Sequence, residues 1–272
     1  MKKVILAFDG DNYSQGAFEF ARQMNEIEPL LLTGIFLPFT EYANLSTLVS
    51  QTGLVYTVAQ GSGKDIIDRN ILKFEGACRK NNIEYRIHKD ADDFALAELK
   101  TETWFADLLI TGSESFYQDA ESKTINAFLR EILHSAGCPV VVVPEKFEFP
   151  QNNILAYDGT ESSVYAIKQF AYTFPFLTKN KTYLVYSKSD LEDTLPKQAN
   201  IEELVARHFT DLTVTKLNFN PKESFDTWIN FKKGAILVSG AFGRSLFSRI
   251  IKKSFTTNII SDHKFPVFIA HR

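Results

Sequence analysis

Apolar residues in this chain fall into short consecutive runs, separated by longer stretches in which they recur at helical spacing. In the first half the runs occupy 4–8, 30–37, 83–87, 108–111 and 140–143, with amphipathic stretches at 14–25, 65–80, 92–103 and 122–135. The second half has runs at 154–157, 182–186, 212–217, 235–239 and 267–270. Consecutive Val, Ile and Leu, without polar alternation, suit strands covered on both faces. Strands that alternate with helices are joined by right-handed crossovers, which makes their sheet parallel. The pattern predicts an α/β protein of two tandem doubly wound domains, each with a five-stranded parallel sheet flanked by helices.

The two halves repeat one another. Val4-Ile5-Leu6-Ala7-Phe8-Asp9-Gly10 is echoed by Ile154-Leu155-Ala156-Tyr157-Asp158-Gly159. Asp107-Leu108-Leu109-Ile110-Thr111-Gly112 is echoed by Ala235-Ile236-Leu237-Val238-Ser239-Gly240, and Cys138-Pro139-Val140-Val141 by Phe265-Pro266-Val267-Phe268. Three landmarks in the same order point to a tandem duplication. The distance from Asp9 to Gly112 exceeds that from Asp158 to Gly240, whereas the later spacings nearly agree. The surplus is placed in an insertion at about 40–63, a stretch rich in Ser, Thr, Gly and Gln. Pro144 and Pro150 bracket the junction, so the expected domains are 1–147 and 151–272.

Composition narrows the classes. With 272 residues, 44% apolar and 23% charged, the chain has the make-up of a globular protein and neither a disordered nor a disulfide-stapled one. A net charge of −3 gives no global field for nucleic acid or anionic lipid, so neither partner is expected. Cys78 and Cys138 form no CxxC or metal pattern and read as reduced thiols. The first apolar run stops at Asp9, too short for the core of a secretory leader, and no run is long enough to span a membrane. A cytoplasmic protein is expected.

In a doubly wound sheet, ligands lie beyond the carboxyl ends of the strands where the strand order reverses. Asp9 and Asp158 follow the first strand of each half, where a carboxylate can accept from ribose hydroxyls. Gly112 and Gly240 follow the fourth. In the second half, Gly240 and Gly243 let backbone N–H groups approach phosphate oxygens. Arg244, Arg249, Lys252 and Lys253 then supply four cations without an acid, and Ser254 and Thr256 stand where a helix would start. In the first half Ser115 replaces the second glycine, and Glu114, Asp119 and Glu121 outnumber Lys123. A triphosphate there would meet like charge, so anion binding is expected in the second half alone.

A strand ending in Asp, a late Gly-x2-Gly-x9-Gly-[Ser/Thr] segment and a closing Pro-Val-x-Val strand resemble the pattern of the universal stress proteins. The resemblance extends over essentially the whole chain, as a tandem member. It implies an adenine nucleotide alpha hydrolase-like fold and an internal pseudo-dimer of the two halves through the last strand of each. A homodimer of the chain and a regulated protein partner are further expectations of the same kind. It also implies ATP, with Mg accompanying the nucleotide, held by Asp158, Gly240, Gly243 and Ser254, to which the charge pattern adds Arg244 and Lys253. Lys253 departs from the third glycine of the motif: its side chain either obstructs the phosphate path or neutralises it. Asp9, Gly112 and Ser115 are the degenerate first-half equivalents, with Ile125 and Asn126 at the remaining positions.

Other motifs carry less. Gly61-Ser62-Gly63-Lys64 lacks the first glycine of a phosphate loop, which is Val58, and the following Ser or Thr, which is Asp65. His88, His134, His208, His263 and His271 are scattered, and no metal site is expected. No Gly-x-Ser-x-Gly elbow marks a hydrolase. Trp104 and Trp228 end the third helical stretch of each half and are read as packing residues. The sequence thus predicts a nucleotide-responsive binding protein. A non-nucleotide interaction module is the alternative, and a slow phosphohydrolase ranks last because no general base stands by the glycine segment.

Overall fold

The computed structural model describes residues 1–9, 12–37, 62–88, 95–114, 127–187, 194–217, 228, 232–240 and 265–270. The chain divides into two compact units, Met1–Cys138 and Pro139–Arg272.

The first unit runs β1 (Lys2–Asp9), α1 (Gln15–Ile27), β2 (Leu30–Leu37), α2 (Ser62–Lys80), β3 (Glu84–His88), α3 (Ala95–Thr103), β4 (Leu108–Gly112) and α4 (Ala127–Ser135). Its strands lie in the order β3-β2-β1-β4, all parallel. Every residue from Val4 to Phe8 is buried. That is why β1 reads as an unbroken apolar run: both of its faces are covered. Right-handed crossovers run one way through β1, β2 and β3, then return to β4, so α1 and α2 share one face and α3 covers the other. Ser14 starts α1 by accepting a hydrogen bond from the Ala17 N–H at 3.2 Å, and the helix then buries Phe18, Phe20, Ala21 and Met24. Phe74 of α2 meets Phe8, Phe18 and Phe36 edge-on, with ring centres between 5.9 and 6.2 Å apart.

The second unit runs β5 (Val140–Val143), β6 (Asn152–Tyr157), α5 (Glu161–Thr173), a short 3-10 turn (Leu177–Lys179), β7 (Lys181–Ser187), α6 (Gln198–His208), β8 (Asp211–Leu217), β9 (Ala235–Gly240) and β10 (Val267–Ala270). Strands β10-β9-β6-β7-β8 are mutually parallel. The order of β8, β7, β6 and β9 repeats that of β3, β2, β1 and β4. Strand β5 closes the first sequence repeat, yet it pairs antiparallel with β10, Val142 opposite Val267, and so groups with the second unit. The sheets are therefore mostly parallel, with this ladder as the antiparallel element among the described strands. Within the core, the buried Asn153 donates from Nδ2 to the Leu177 carbonyl at 2.7 Å and to Thr182 Oγ1 at 2.9 Å, tying β6 to the turn before β7. Phe170 of α5 and Phe174, the residue that follows the helix, pack edge-on against Phe268 of β10.

The tryptophans separate. Trp228 meets Tyr183 edge-on at 5.4 Å beneath the Lys232 ammonium, whereas Trp104 is 67% exposed. Trp104 follows the last turn of α3 and lies against Gly137, where a β-carbon would stand 2.5 Å from its ring, but most of the indole stays exposed.

Candidate functional site

The second unit's strand order reverses between β6 and β9: the chain leaves β6 towards β7 and later returns to β9 on the opposite side. A crevice at such a switch point opens beyond the carboxyl ends of the strands. Asp158, Gly159 and Thr160 form its floor. One Asp158 carboxylate oxygen accepts from the Thr160 N–H at 2.9 Å and from the Thr160 hydroxyl at 2.5 Å, which holds the turn. Gly159 takes φ of +79°, a left-handed conformation suited to glycine. Thr160 then caps α5, its hydroxyl accepting from the Ser163 N–H at 3.3 Å. The amides of the first turn, with the helix dipole behind them, make this end of α5 favourable to negative charge.

Gly240, the last residue of β9, abuts the same turn. A β-carbon on it would stand 2.7 Å from the Ser162 carbonyl carbon and 2.8 Å from the Ser163 nitrogen. Ser163 also approaches the other side of the floor, accepting from the Asp158 N–H at 3.5 Å and donating to the Thr160 carbonyl at 2.9 Å. The two strand-end residues singled out in the sequence, Asp158 and Gly240, are thus joined through one serine. Ser163 itself had a faint signal, as the third residue after a threonine at a helix start. Gly243, Arg244, Lys253 and Ser254 lie outside the described residues.

From the other direction, the turn before α6 leans over the floor. Pro196 approaches Gly159 so closely that a β-carbon there would be 2.6 Å from its ring, and the Tyr157 hydroxyl donates to the Pro196 carbonyl at 2.6 Å. Burial raises the Tyr157 phenol above its ordinary pKa, helped by the charge of Asp158 and by Tyr186. No sequence pattern announced Pro196.

The first unit has its own reversal between β1 and β4. Asp9 ends β1 opposite Leu37, and Gly112 ends β4. After Gly112, the Ser113 hydroxyl donates to the Glu114 carboxylate at 2.7 Å. The side chain of Asp9, and all of Ser115, lie outside the described residues. So does most of the expected insertion, 40–61. Ser62, Gly63 and Lys64 begin α2 as helix. Among the described residues, no group of three or more His, Cys, Asp or Glu could hold a metal ion, and no helix is long and apolar enough to cross a membrane.

No protein-family model matches the chain, and no curated protein matches it. Solved structures do. A universal stress protein from Archaeoglobus fulgidus is 14% identical, with a TM-score of 0.65 over 98% of this chain and 96% of that one. A putative universal stress protein from Pseudomonas aeruginosa is 13% identical, with a TM-score of 0.52 over 100% of this chain and 93% of that one. Both likenesses run through both units. The chain therefore has the fold of the universal stress proteins, an α/β fold with a mostly parallel sheet flanked by helices.

Proposed function

We propose that this chain is a tandem universal stress protein, a nucleotide-responsive binding protein that holds ATP in its C-terminal half. The observation that carries the reading is the meeting of Asp158 and Gly240 at Ser163, on the amino end of α5 and at the switch point of the sheet. A carboxylate, a helix amino terminus and a strand-end glycine are the parts that a ribose and an adjacent phosphate would use. The cationic segment around Arg244 and Lys253, with Gly243 and Ser254, belongs to the same proposal from sequence. Repetition of the strand order in the two units supports a duplication. The N-terminal half, with Glu114 after Gly112, is assigned no nucleotide. ATP binding would then alter how the paired halves, or a homodimer, meet a protein partner.

Binding of a labelled ATP analogue to the full chain tests this. Gly243→Arg is expected to abolish binding, and Gly112→Ala to leave it intact. Absence of binding at millimolar analogue, or binding that survives Gly243→Arg, overturns the reading.

One observation favours the alternative of a non-nucleotide interaction module. The approach of α5 to Gly240 already requires a glycine there, with or without a ligand. An unchanged chain that binds its protein partner equally with and without ATP would decide for that reading.

A further inference from the structure

The space directly over the carboxyl end of β6 is filled by the chain itself. Tyr157 is fully buried, Tyr186 lies beside it with ring centres 6.4 Å apart, and Leu195 is 7% exposed. Pro196 rests on Gly159, and its carbonyl is clasped by the Tyr157 hydroxyl. The Leu195 N–H donates to Gln198 Oε1 at 3.3 Å, and Gln198 Nε2 donates to Glu202 at 2.7 Å, so the segment is anchored to the first turn of α6. Between anchor and clasp lies Lys197, a residue with a side chain held at φ 51° and ψ 42°. The left-handed region disfavours such residues, so this position carries a backbone cost. The same position gains a hydrogen bond and apolar contact. Opposed contributions of this kind are what a two-position element needs.

We propose that Leu195, Pro196 and Lys197 form a strap that must lift from Gly159 and Tyr157 before a ligand can lie over the end of β6. The strap is hinged at Lys197 and latched by the Tyr157 hydroxyl. Only the identity of the ligand rests on the nucleotide reading; the latch is a property of the chain alone.

Tyr157→Phe removes the latch and keeps the ring. Hydrogen exchange over 194–201 in the full chain, without ligand, is expected to quicken roughly three- to tenfold, while exchange in the β6 and β7 ladder is unchanged. Labelled ATP is expected to associate faster with the variant by a similar factor. Faster exchange with no ATP bound by either protein supports the strap and overturns the nucleotide reading. Unchanged exchange, with ATP bound equally fast by both, overturns the strap and leaves the nucleotide reading standing.

Discussion

Tyr13 lies flat against Phe8, with ring centres 4.6 Å apart and planes inclined by 20°. Phe36 stacks on Phe8 at 4.8 Å, and the Lys73 ammonium sits 4.0 Å from the centre of the Tyr13 ring. The ring is well satisfied, yet its hydroxyl is buried and has no hydrogen-bond partner among the described residues. A buried donor without a partner loses its hydration and gains nothing in return. Tyr13→Phe keeps the stack and deletes that cost. The variant is expected to be as stable as the parent or more so, by up to about 1 kcal/mol, read as a higher urea midpoint with an unchanged slope. A loss of stability would show that the hydroxyl is bonded in solution.

Gly240→Ala carries the opposite expectation. Its β-carbon would press on the backbone of Ser162 and Ser163, which cannot swing aside as a side-chain tip can. Either β9 or the start of α5 must shift, at about 1–3 kcal/mol. The midpoint should fall even in a protein that has never met a nucleotide. Lost ligand binding in this variant is therefore ambiguous, and Gly243→Arg is the cleaner probe of the proposed site.

Gly76 provides the control. It lies within α2, and a β-carbon there would meet nothing within 4 Å. Gly76→Ala is expected to raise stability by about 0.5–1 kcal/mol, because alanine loses less backbone freedom on folding. Thermal unfolding of the two alanine variants side by side should shift in opposite directions.

The two thiols set a pH limit. Burial pushes Cys78 up to about 12, with Glu75 adding to the effect. Cys138 is likewise raised to about 12 by burial and then by Asp107, although its own backbone works in the other direction. A thiol of raised pKa holds its proton more tightly folded than unfolded, so its contribution is fully present below the unfolded value of 9.0. As pH rises from there towards 12, the unfolded state ionises first and stability falls. Chemical unfolding at several alkaline pH values should show that decline, and Cys78→Ser with Cys138→Ser should lessen it, the Tyr13 and Tyr157 phenols, also raised by burial, sustaining the remainder. Below that window, a thiol-reactive dye should label neither residue until the chain opens.

Every described strand was legible in the amino-acid pattern, although β3 and β8 are exposed or half-buried along their length and mix polar with apolar residues. Strands such as 4–8, 108–111 and 140–143 are covered on both faces, so their apolar residues run consecutively and mark their own limits. Which neighbour each strand takes is less visible. Nothing local in Val140-Val141-Val142-Val143 says that it pairs antiparallel with β10, since a ladder is decided between segments far apart in sequence. The candidate site divides the same way. Asp158 and Gly240 stood out because strand ends are readable. Pro196 did not, because its meeting with Tyr157 depends on how a turn folds across another strand. The exposure of Trp104 was missed for a related reason: where a helix ends relative to its sheet depends on a crossover that a spacing rule does not describe.

The antiparallel ladder also orders the making of the protein. Residues 140–143 leave the ribosome before almost all of the second repeat, but the edge that β10 covers stays open until 267–270 have been synthesised. Four consecutive valines with an open edge are a template for unwanted pairing between nascent chains. Residues 267–270, made more than a hundred positions later, are the ones that end that exposure.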